Sequence, residues 1–561
     1  MTALDAALAR TARDWIDGDP DPVTRAGLQD LLDGGDVAAL RAHAGATLVF
    51  GTAGLRGEVG PGPNRMNRAT VIRATRGLAD HLLERVPNAT GRGVVVGFDA
   101  RPDSERFAHD VVSVLLAAGL PVSWFPTPTP TPIVAFTARR LDTAAAVVVT
   151  ASHNPPADNG YKVYDEHGVQ ITAPTDEHIA AAIADVGPAI DVPGVGGSVE
   201  GATRLGDADV DAYLAAATLG RGVTEALPYP LVVTPMHGVG GTFVERALRL
   251  AGHGEVVRVV DQWEPDGAFP TVAFPNPEEP GALDLAFATA DAAGAPVVLA
   301  NDPDADRLAV AVTDDDGWRR LTGDEVGTVL AHHLLSTGVA SERRVVLSSI
   351  VSSARLGEVA RLNDARHETT LTGFKWIWRA GRSLEADGWH VVLGYEEALG
   401  YSVGDVVRDK DGISAAVVMG QVLAALAARG QDLQGHLAEL DERYGRWCNV
   451  QRSVRREGPD GAAQIAAAMA RARSATPEAL GPRSVARHED LLLGADDRPA
   501  WLPADDVVVW HLDGGSRVLV RPSGTEPKLK VYVDLRLDDG EDESVADVVA
   551  SAALAALGLD A

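Results

Sequence analysis

Three features of the sequence predict an α/β chain of repeated strand–loop–helix units, closed by a smaller α+β domain. First, apolar runs at residues 93–97, 231–233 and 344–347 each read as a strand, and each leads into a loop and then a helix-like stretch. Second, those loops are built alike from small and polar residues: Asp99-Ala-Arg-Pro-Asp-Ser104, Met236-His-Gly-Val-Gly-Gly241 and Ser348-Ser-Ile-Val-Ser-Ser353. Their domain-sized spacing suggests related units. Third, the pattern changes from about residue 440: residues 462–475 read as a helix, and residues 529–537 alternate apolar and polar, as a half-buried strand does.

In chain order, residues 1–48 read as polar helices with a Pro-rich break at residues 19–22. Residues 127–132, alternating Thr and Pro between two apolar runs, are expected to form a rigid ordered connection in place of a flexible linker. The run 144–149 is a further buried strand. It passes into Thr150-Ala-Ser-His-Asn-Pro-Pro-Ala-Asp-Asn-Gly-Tyr-Lys162, where two prolines stop a helix and stiffen the loop. The runs 295–300 and 308–312 are two strands joined by a short loop. Residues 413–428 suit a buried core helix and are short for a membrane span. A chain of 561 residues exceeds one core. Domains are placed at 1–205, 206–317, 318–440 and 441–561.

The composition, 46% hydrophobic and 23% charged, is that of a soluble globular protein. The single Cys448 excludes a disulfide framework, and no basic-then-apolar leader opens the chain, so the expected location is the cytoplasm. A formal net charge of −29 argues against nucleic acid or an anionic membrane as partner. An anionic small substrate would need cations gathered locally. Lysine is scarce: only Lys162, Lys375, Lys410, Lys528 and Lys530 occur, against 45 arginines. Lysine is then expected where a compact, titratable ammonium is required.

Ser152, His153 and Lys162 place a nucleophile and two proton-transfer groups in one loop. A Ser–His hydrolase is the rival reading, but adjacent Ser and His side chains usually diverge and a Gly-x-Ser-x-Gly elbow is absent. In Asn301-Asp-Pro-Asp-Ala-Asp-Arg307, three alternating aspartates lie on a tight loop between strands, a hard-cation site for Mg²⁺ or Ca²⁺. An EF-hand would need Gly and Glu where Arg307 and Thr313 stand. The apolar flanks and Arg307 set this loop apart from a solvated acidic turn such as Asp314-Asp-Asp-Gly317.

Arg521-Pro-Ser-Gly-Thr-Glu-Pro-Lys528 offers a guanidinium fork, hydroxyls, Gly524 for close backbone approach and an ammonium, a receptor for a phosphate dianion. Gly51-Thr-Ala-Gly-Leu-Arg-Gly57 carries Arg56 on a Gly-rich loop, and Leu393-Gly-Tyr-Glu-Glu-Ala-Leu-Gly-Tyr401 presents Glu396 and Glu397 to hydroxyls. His237-Gly-Val-Gly-Gly241 completes no nucleotide-binding pattern. A phosphorylated Ser152 would bring about −1.5 to −2 charges. Arg56, Lys162 and Arg307 would balance it with the aspartates and a divalent cation if they converge, while Arg521 and Lys528 hold a second phosphate apart. The chemistry would then be phosphoryl transfer between Ser152 and a sugar hydroxyl, with Lys162 and His153 as candidates for moving the proton.

Four motifs in this order, Thr150-Ala-Ser-His-Asn-Pro155, Asp302-Pro-Asp-Ala-Asp-Arg307, Glu396-Glu-Ala-Leu-Gly400 and Arg521-Pro-Ser-Gly-Thr525, resemble the α-D-phosphohexomutase superfamily of phosphoglucomutases and phosphomannomutases. The resemblance implies four domains around a central cleft, three related α/β units with mixed sheets and a smaller α+β domain. It implies an active phosphoserine at Ser152, with Mg²⁺ held by that group and by Asp302, Asp304 and Asp306. A bisphosphorylated sugar would serve as intermediate and activator. Arg56, His153 and Lys162 would assist catalysis, and Arg307, Lys375, Glu396, Arg521, Ser523, Gly524, Thr525 and Lys528 would meet substrate. Ala398 departs from the serine common in the sugar loop, and Gly400 and Tyr401 from the histidine one bacterial branch carries after it.

Phe50-Gly-Thr-Ala-Gly-Leu-Arg56, Asn64-Arg-Met-Asn67 and Thr372-Gly-Phe-Lys-Trp-Ile377 resemble a branch with phosphopentomutases and glucose-1,6-bisphosphate synthases. Lys410 suits either a substrate contact or a salt bridge between Asp409 and Asp411. The implied reaction interconverts sugar 1- and 6-phosphates, glucose first, with mannose or pentose phosphates as alternatives. A non-catalytic phosphosugar-binding protein is the other class, and the intact Ser152, Lys162 and three aspartates stand against it. The expected partner is a small phosphosugar, and the expected state a monomer or weak homodimer.

Overall fold

The apolar runs become strands because β-branched residues fill them: Val94–Phe98, Ala145–Val149, Leu231–Thr234 and Val297–Ala300 are buried along their whole length. The computed structural model describes residues 3–51, 54–314, 316–338, 343–456, 460–523 and 528–559. Two compact units divide the chain: residues 1–321 with 400–427, and residues 322–399 with 428–561.

In the first unit, three helices, Ala3–Gly18, Pro22–Gly34 and Val37–Ala44, form the N-terminal extension. Asp21 and Asp36 cap the second and third through their carboxylates. A six-stranded sheet follows, in the order Leu55–Glu58, Asp158–Tyr164, Ala145–Val149, Val94–Phe98, Val122–Trp124, Thr203–Arg204. Val94–Phe98 lies parallel to Ala145–Val149 and to Val122–Trp124, whereas Asp158–Tyr164 returns antiparallel. The next sheet repeats this plan. Leu231–Thr234 lies parallel to Val256–Arg258 and Val297–Ala300, and Ala309–Asp314 returns antiparallel on Val297–Ala300. The helix Gly412–Ala427 is buried over most of its length and packs on Gly241–Leu250, in line with its apolar sequence. Among the described residues no helix is long and apolar enough to cross a membrane.

The second unit opens with the same arrangement: Arg344–Ser349 runs parallel to both Arg366–Thr370 and His390–Glu396. The loops that carry Ser152, the three aspartates and Glu396 therefore occupy one position in the three α/β units. Each follows the C-terminal end of the third parallel strand, where α/β sheets present ligand-binding loops. The last part is a six-stranded sheet, with antiparallel neighbours throughout, and the helices Gly461–Ser474 and Val545–Ala556 pack on it.

The strand Lys528–Arg536 differs from the half-buried expectation. Leu529, Val531, Val533 and Leu535 lie in the core under the helices, as alternation predicts. The other face is covered too: Tyr532 packs with Ile350, Val351 and Leu371, and Asp534 is 1% exposed. Asp534 tolerates burial because it accepts hydrogen bonds from Ser353 Oγ, Ala354 N, Asn449 Nδ2 and Arg517 Nε. Periodicity saw a polar face and missed the segment that covers it.

Candidate active site

Ser152 follows the strand Ala145–Val149 and takes a left-handed backbone, φ 51°. Three groups hold this turn. Its N–H donates to Thr150 Oγ1 at 2.8 Å, and Thr150 Oγ1 donates to Asp99 Oδ2 at 2.7 Å. Arg101, buried, donates to the carbonyls of Ser152, Asn154, Pro155 and Asp158 at 2.5–2.9 Å. A non-glycine residue in this conformation persists where its surroundings enforce it, as at functional sites.

The Ser152 hydroxyl donates to Asp302 Oδ2 at 2.8 Å and lies 3.2 Å from His153 Nδ1. Asp302, Asp304 and Asp306 are fully buried, with one oxygen of each within 4.8 Å of the others. Lys162 Nζ donates to Asp304 Oδ2 at 2.7 Å and Asp306 Oδ2 at 2.9 Å. Arg307 lies 3.9 Å from Asp306 and 4.0 Å from Asp302 through Nε, and its backbone N–H donates to Asp302 Oδ1. Arg56 Nη1 donates to Asn154 Oδ1 at 3.1 Å. Its strand pairs Arg56 with Gly160, where a Cβ would lie 2.4 Å from Thr150 O.

Lys410 Nζ stands 3.2 Å from Asp306 and 3.5 Å from Asp409. Asp411 accepts from Tyr213 and caps the helix Gly412–Ala427 through the N–H groups of Ile413 and Ser414. The lysine adds a fourth cation to Arg56, Lys162 and Arg307 around three carboxylates.

Burial, then the charges of Asp306 and Asp304, drives the Asp302 carboxyl well above the usual carboxylate range. Burial also opposes the charge on Asp306, but Lys162, Lys410 and Arg307 outweigh it and hold Asp306 low. For Asp304, burial and Asp306 push upward, and Lys162 with Thr131 brings it below its ordinary value. Burial, with Arg307 and Arg56 nearby, keeps the His153 imidazole neutral well below its usual range. Lys162 is disfavoured by burial yet stays an ammonium because Asp304 and Asp306 touch it.

Oδ1 of Asp304 and Oδ1 of Asp306 are buried without a hydrogen-bond partner. Orphaned carboxylate oxygens beside a third carboxylate fit a hard divalent cation, which takes oxygen ligands and relieves their repulsion.

The second unit holds the remaining residues. Glu396 ends the strand His390–Glu396 and accepts from the Gly373 N–H at 2.5 Å. Arg521 Nη1 donates to Thr372 Oγ1 at 2.7 Å. The turn before the helix Phe374–Ala386, which carries Lys375, thus binds both the end of the strand His390–Glu396 and the hairpin that carries Arg521. Glu397 accepts from Ser349 Oγ and Ser352 Oγ. Ser523 N–H donates to Lys528 O and closes the hairpin; Gly524 and Thr525 lie outside the described residues.

Two contributors were not identified from sequence. Arg101 had a signal, a charged loop directly after a buried strand. Thr131, whose hydroxyl donates to Asp304 Oδ2 at 2.6 Å, had none beyond the Pro-Thr stretch, which is ordered and begins the helix Thr131–Arg140.

A buried serine hydroxyl bonded to a cluster of three buried carboxylates, in α/β units that share one strand order, is the arrangement of a phosphosugar mutase of the α-D-phosphohexomutase class. Residues 47–188, 212–317 and 322–444 match phosphoglucomutase/phosphomannomutase alpha/beta/alpha domains I, II and III, and residues 454–552 match the C-terminal domain. The chain belongs to the phosphoglucomutase/phosphomannomutase family. It is 39% identical to the probable phosphoribomutase of Schizosaccharomyces pombe, over 96% of this chain and 95% of that protein. It is 40% identical to a probable phosphomannomutase of Haemophilus influenzae, over 85% and 94%. The fold matches the solved phosphoglucomutase/phosphomannomutase family protein of Burkholderia thailandensis with a TM-score of 0.68 at 20% identity, covering 91% of this chain and 98% of that one.

Proposed function

We propose that this mutase moves a phosphoryl group between Ser152 and a sugar hydroxyl, interconverting glucose 1- and 6-phosphates through a bisphosphorylated sugar. The observation that carries this reading is the 2.8 Å hydrogen bond from Ser152 Oγ to Asp302, which sets the hydroxyl on the carboxylate cluster. Asp302, Asp304 and Asp306, with the phosphate of Ser152, would hold Mg²⁺. When bound, Mg²⁺ supplies positive charge to the transferring group.

The protein's own residues do the rest. When phosphoserine donates, its P–O bond to Ser152 breaks as the sugar oxygen bonds to phosphorus, and the proton that the sugar hydroxyl gives up ends, through His153, on the Ser152 oxygen. In the return step the Ser152 oxygen bonds to the other phosphorus as that phosphate's P–O bond to the sugar breaks; the Ser152 proton passes to His153, neutral and 3.2 Å away, and on to the sugar oxygen. Lys162, Arg56, Arg307 and Lys410 set fixed positive charge against the phosphoryl oxygens. Arg521, Ser523, Gly524, Thr525 and Lys528 bind the phosphate that is not reacting, and Glu396 and Lys375 meet the sugar. Domain divisions at 205/206, 317/318 and 440/441 keep one loop in each domain.

A pentose phosphate is the second reading, favoured by the relative named phosphoribomutase, which matches 96% of this chain. A coupled assay of glucose, mannose and ribose 1-phosphates, each with catalytic bisphosphate, separates them. Fastest turnover of glucose 1-phosphate supports the first reading. Preference for ribose 1-phosphate replaces it with the second, and silence on all three overturns both.

A further inference from the structure

Arg73 is an arginine without an acid. It lies in the helix Arg68–Arg85, half-buried, and its guanidinium makes no ion pair among the described residues of a chain with 79 acidic groups. One nitrogen donates to Val186 O at 3.0 Å, and its carbon lies 5.7 Å from the Trp15 ring centroid. Arg73 Nε and Trp15 Nε1 are both buried without a hydrogen-bond partner. Burial alone lowers the Arg73 pKa, with no carboxylate opposing it. Such donors cost free energy unless something satisfies them.

Both side chains, with Thr47, line two adjoining cavities of about 310 and 430 Å³. These sizes fall in the range of small-molecule sites. The larger cavity has no carboxylate in its wall. Thr47, Thr70 and Arg73 give it a polar edge, and Leu48, Phe50, Leu55 and Ile183 give it an apolar body. The smaller one adds Thr11 and Asp14, both exposed. An occupant with its anionic head beside the Arg73 guanidinium, which lines both cavities, therefore has its apolar part in the larger one.

That cavity also touches the reaction centre through the backbone. Residues 48–50 and Leu55, which line it, stand on either side of the Gly51–Gly54 bridge. Arg56 is the next residue, on a strand paired with the one that carries Lys162. We propose that the two cavities form one binding site for a small organic anion with an apolar body, and that its occupant modulates turnover through the segment bearing Arg56. The modulation rests on the mutase reading; the binding does not.

The probe is 2-naphthoate, titrated calorimetrically into the full-length protein held with saturating glucose 1-phosphate. Binding is expected, and weakening of about tenfold or more in Arg73→Leu, which loses a charge-assisted contact. Ala184→Trp, which fills the larger cavity from an exposed wall position, is expected to block binding while leaving the melting temperature unchanged. 2-Naphthylmethylammonium, the same body with the opposite charge, should not bind. No binding of 2-naphthoate to the folded protein, equal binding of the ammonium, or binding untouched in both variants would overturn the site. With binding established, 2-naphthoate should shift the mutase kcat/KM in the parent and not in Ala184→Trp; an unmoved rate overturns the coupling. Absence of mutase turnover with binding intact would fault the catalytic reading and uphold the site.

Discussion

Thr131 Oγ1 donates a 2.6 Å hydrogen bond to Asp304 Oδ2, the oxygen that Lys162 also holds at 2.7 Å. The Thr131 N–H reaches Asp304 O at 3.1 Å, so side chain and backbone of one aspartate are fixed by a residue 173 positions earlier in the chain. With Oδ2 engaged twice, Oδ1 is left for a cation. Groups that orient metal ligands typically change metal affinity or activity about 10–100-fold when removed. Thr131→Val keeps the volume and deletes the donor. We expect it to raise the Mg²⁺ concentration needed for half-maximal activity by that order, and Thr131→Ser to restore it. A Val variant with the parent Mg²⁺ titration would rule out this orienting role.

Ser152→Ala removes the hydroxyl that bonds Asp302 and leaves the cage built by Arg101 and Thr150 in place. Turnover of every phosphosugar is expected to vanish while the circular dichroism spectrum and melting temperature stay near the parent values. Intact mass should show a phosphorylated species in the parent and none in the variant. Residual activity near the parent rate would sink the phosphoserine reading.

The sequence makes the strands legible because their apolar runs are continuous, as strands buried on both faces require. Ser152 and the aspartates could be read because each lies within a few residues of such a run. Contacts between distant segments were not legible. The Lys410 contact with Asp409 was legible from their adjacency, but its pairing with Asp306 crosses 104 positions and nothing local announces it. Asp534 read as a solvated strand position because nothing near it in sequence announces that Ser353 and Ala354 cover it. The helix Gly412–Ala427 packs with residues 1–321 although it follows the third sheet's strands, the last of which is Gly400–Val403, an arrangement set by its apolar sequence and not by chain order.

Lys410 is a point charge between two buried carboxylates, and its side chain is 14% exposed. Lys410→Met leaves Asp409 with the Tyr164 hydroxyl and Asp306 with Lys162 and Arg307, each short of one cation. Removing one partner of a buried ion pair destabilises because the remaining carboxylate charge loses its compensation. A lower melting temperature is expected, together with a reduced kcat. Lys410→Arg should recover only part, since a planar fork does not replace a compact ammonium. A melting temperature equal to the parent in Lys410→Met would remove the lysine from this network.

Asp324 supplies a pH dependence separate from the carboxylate cluster. Burial pushes its carboxyl up to about 7, with the Ser353 N–H and the Tyr395 hydroxyl, both bonded to its Oδ1, opposing the shift. The folded chain thus holds a proton that the unfolded chain releases near pH 3.8. The sign follows: this contribution to stability is complete below the unfolded value, and it declines as pH rises through about 7. Each unit of displacement corresponds to about 1.4 kcal/mol. Asp324→Asn keeps a neutral acceptor at every pH and removes the titration. Relative to the parent, the variant is expected to gain stability as pH is raised from about 4 to about 7 and to hold that gain at higher pH. Thermal unfolding across that range reads the difference. A parent and variant whose melting temperatures change in parallel would show that Asp324 is already ionised in the folded protein.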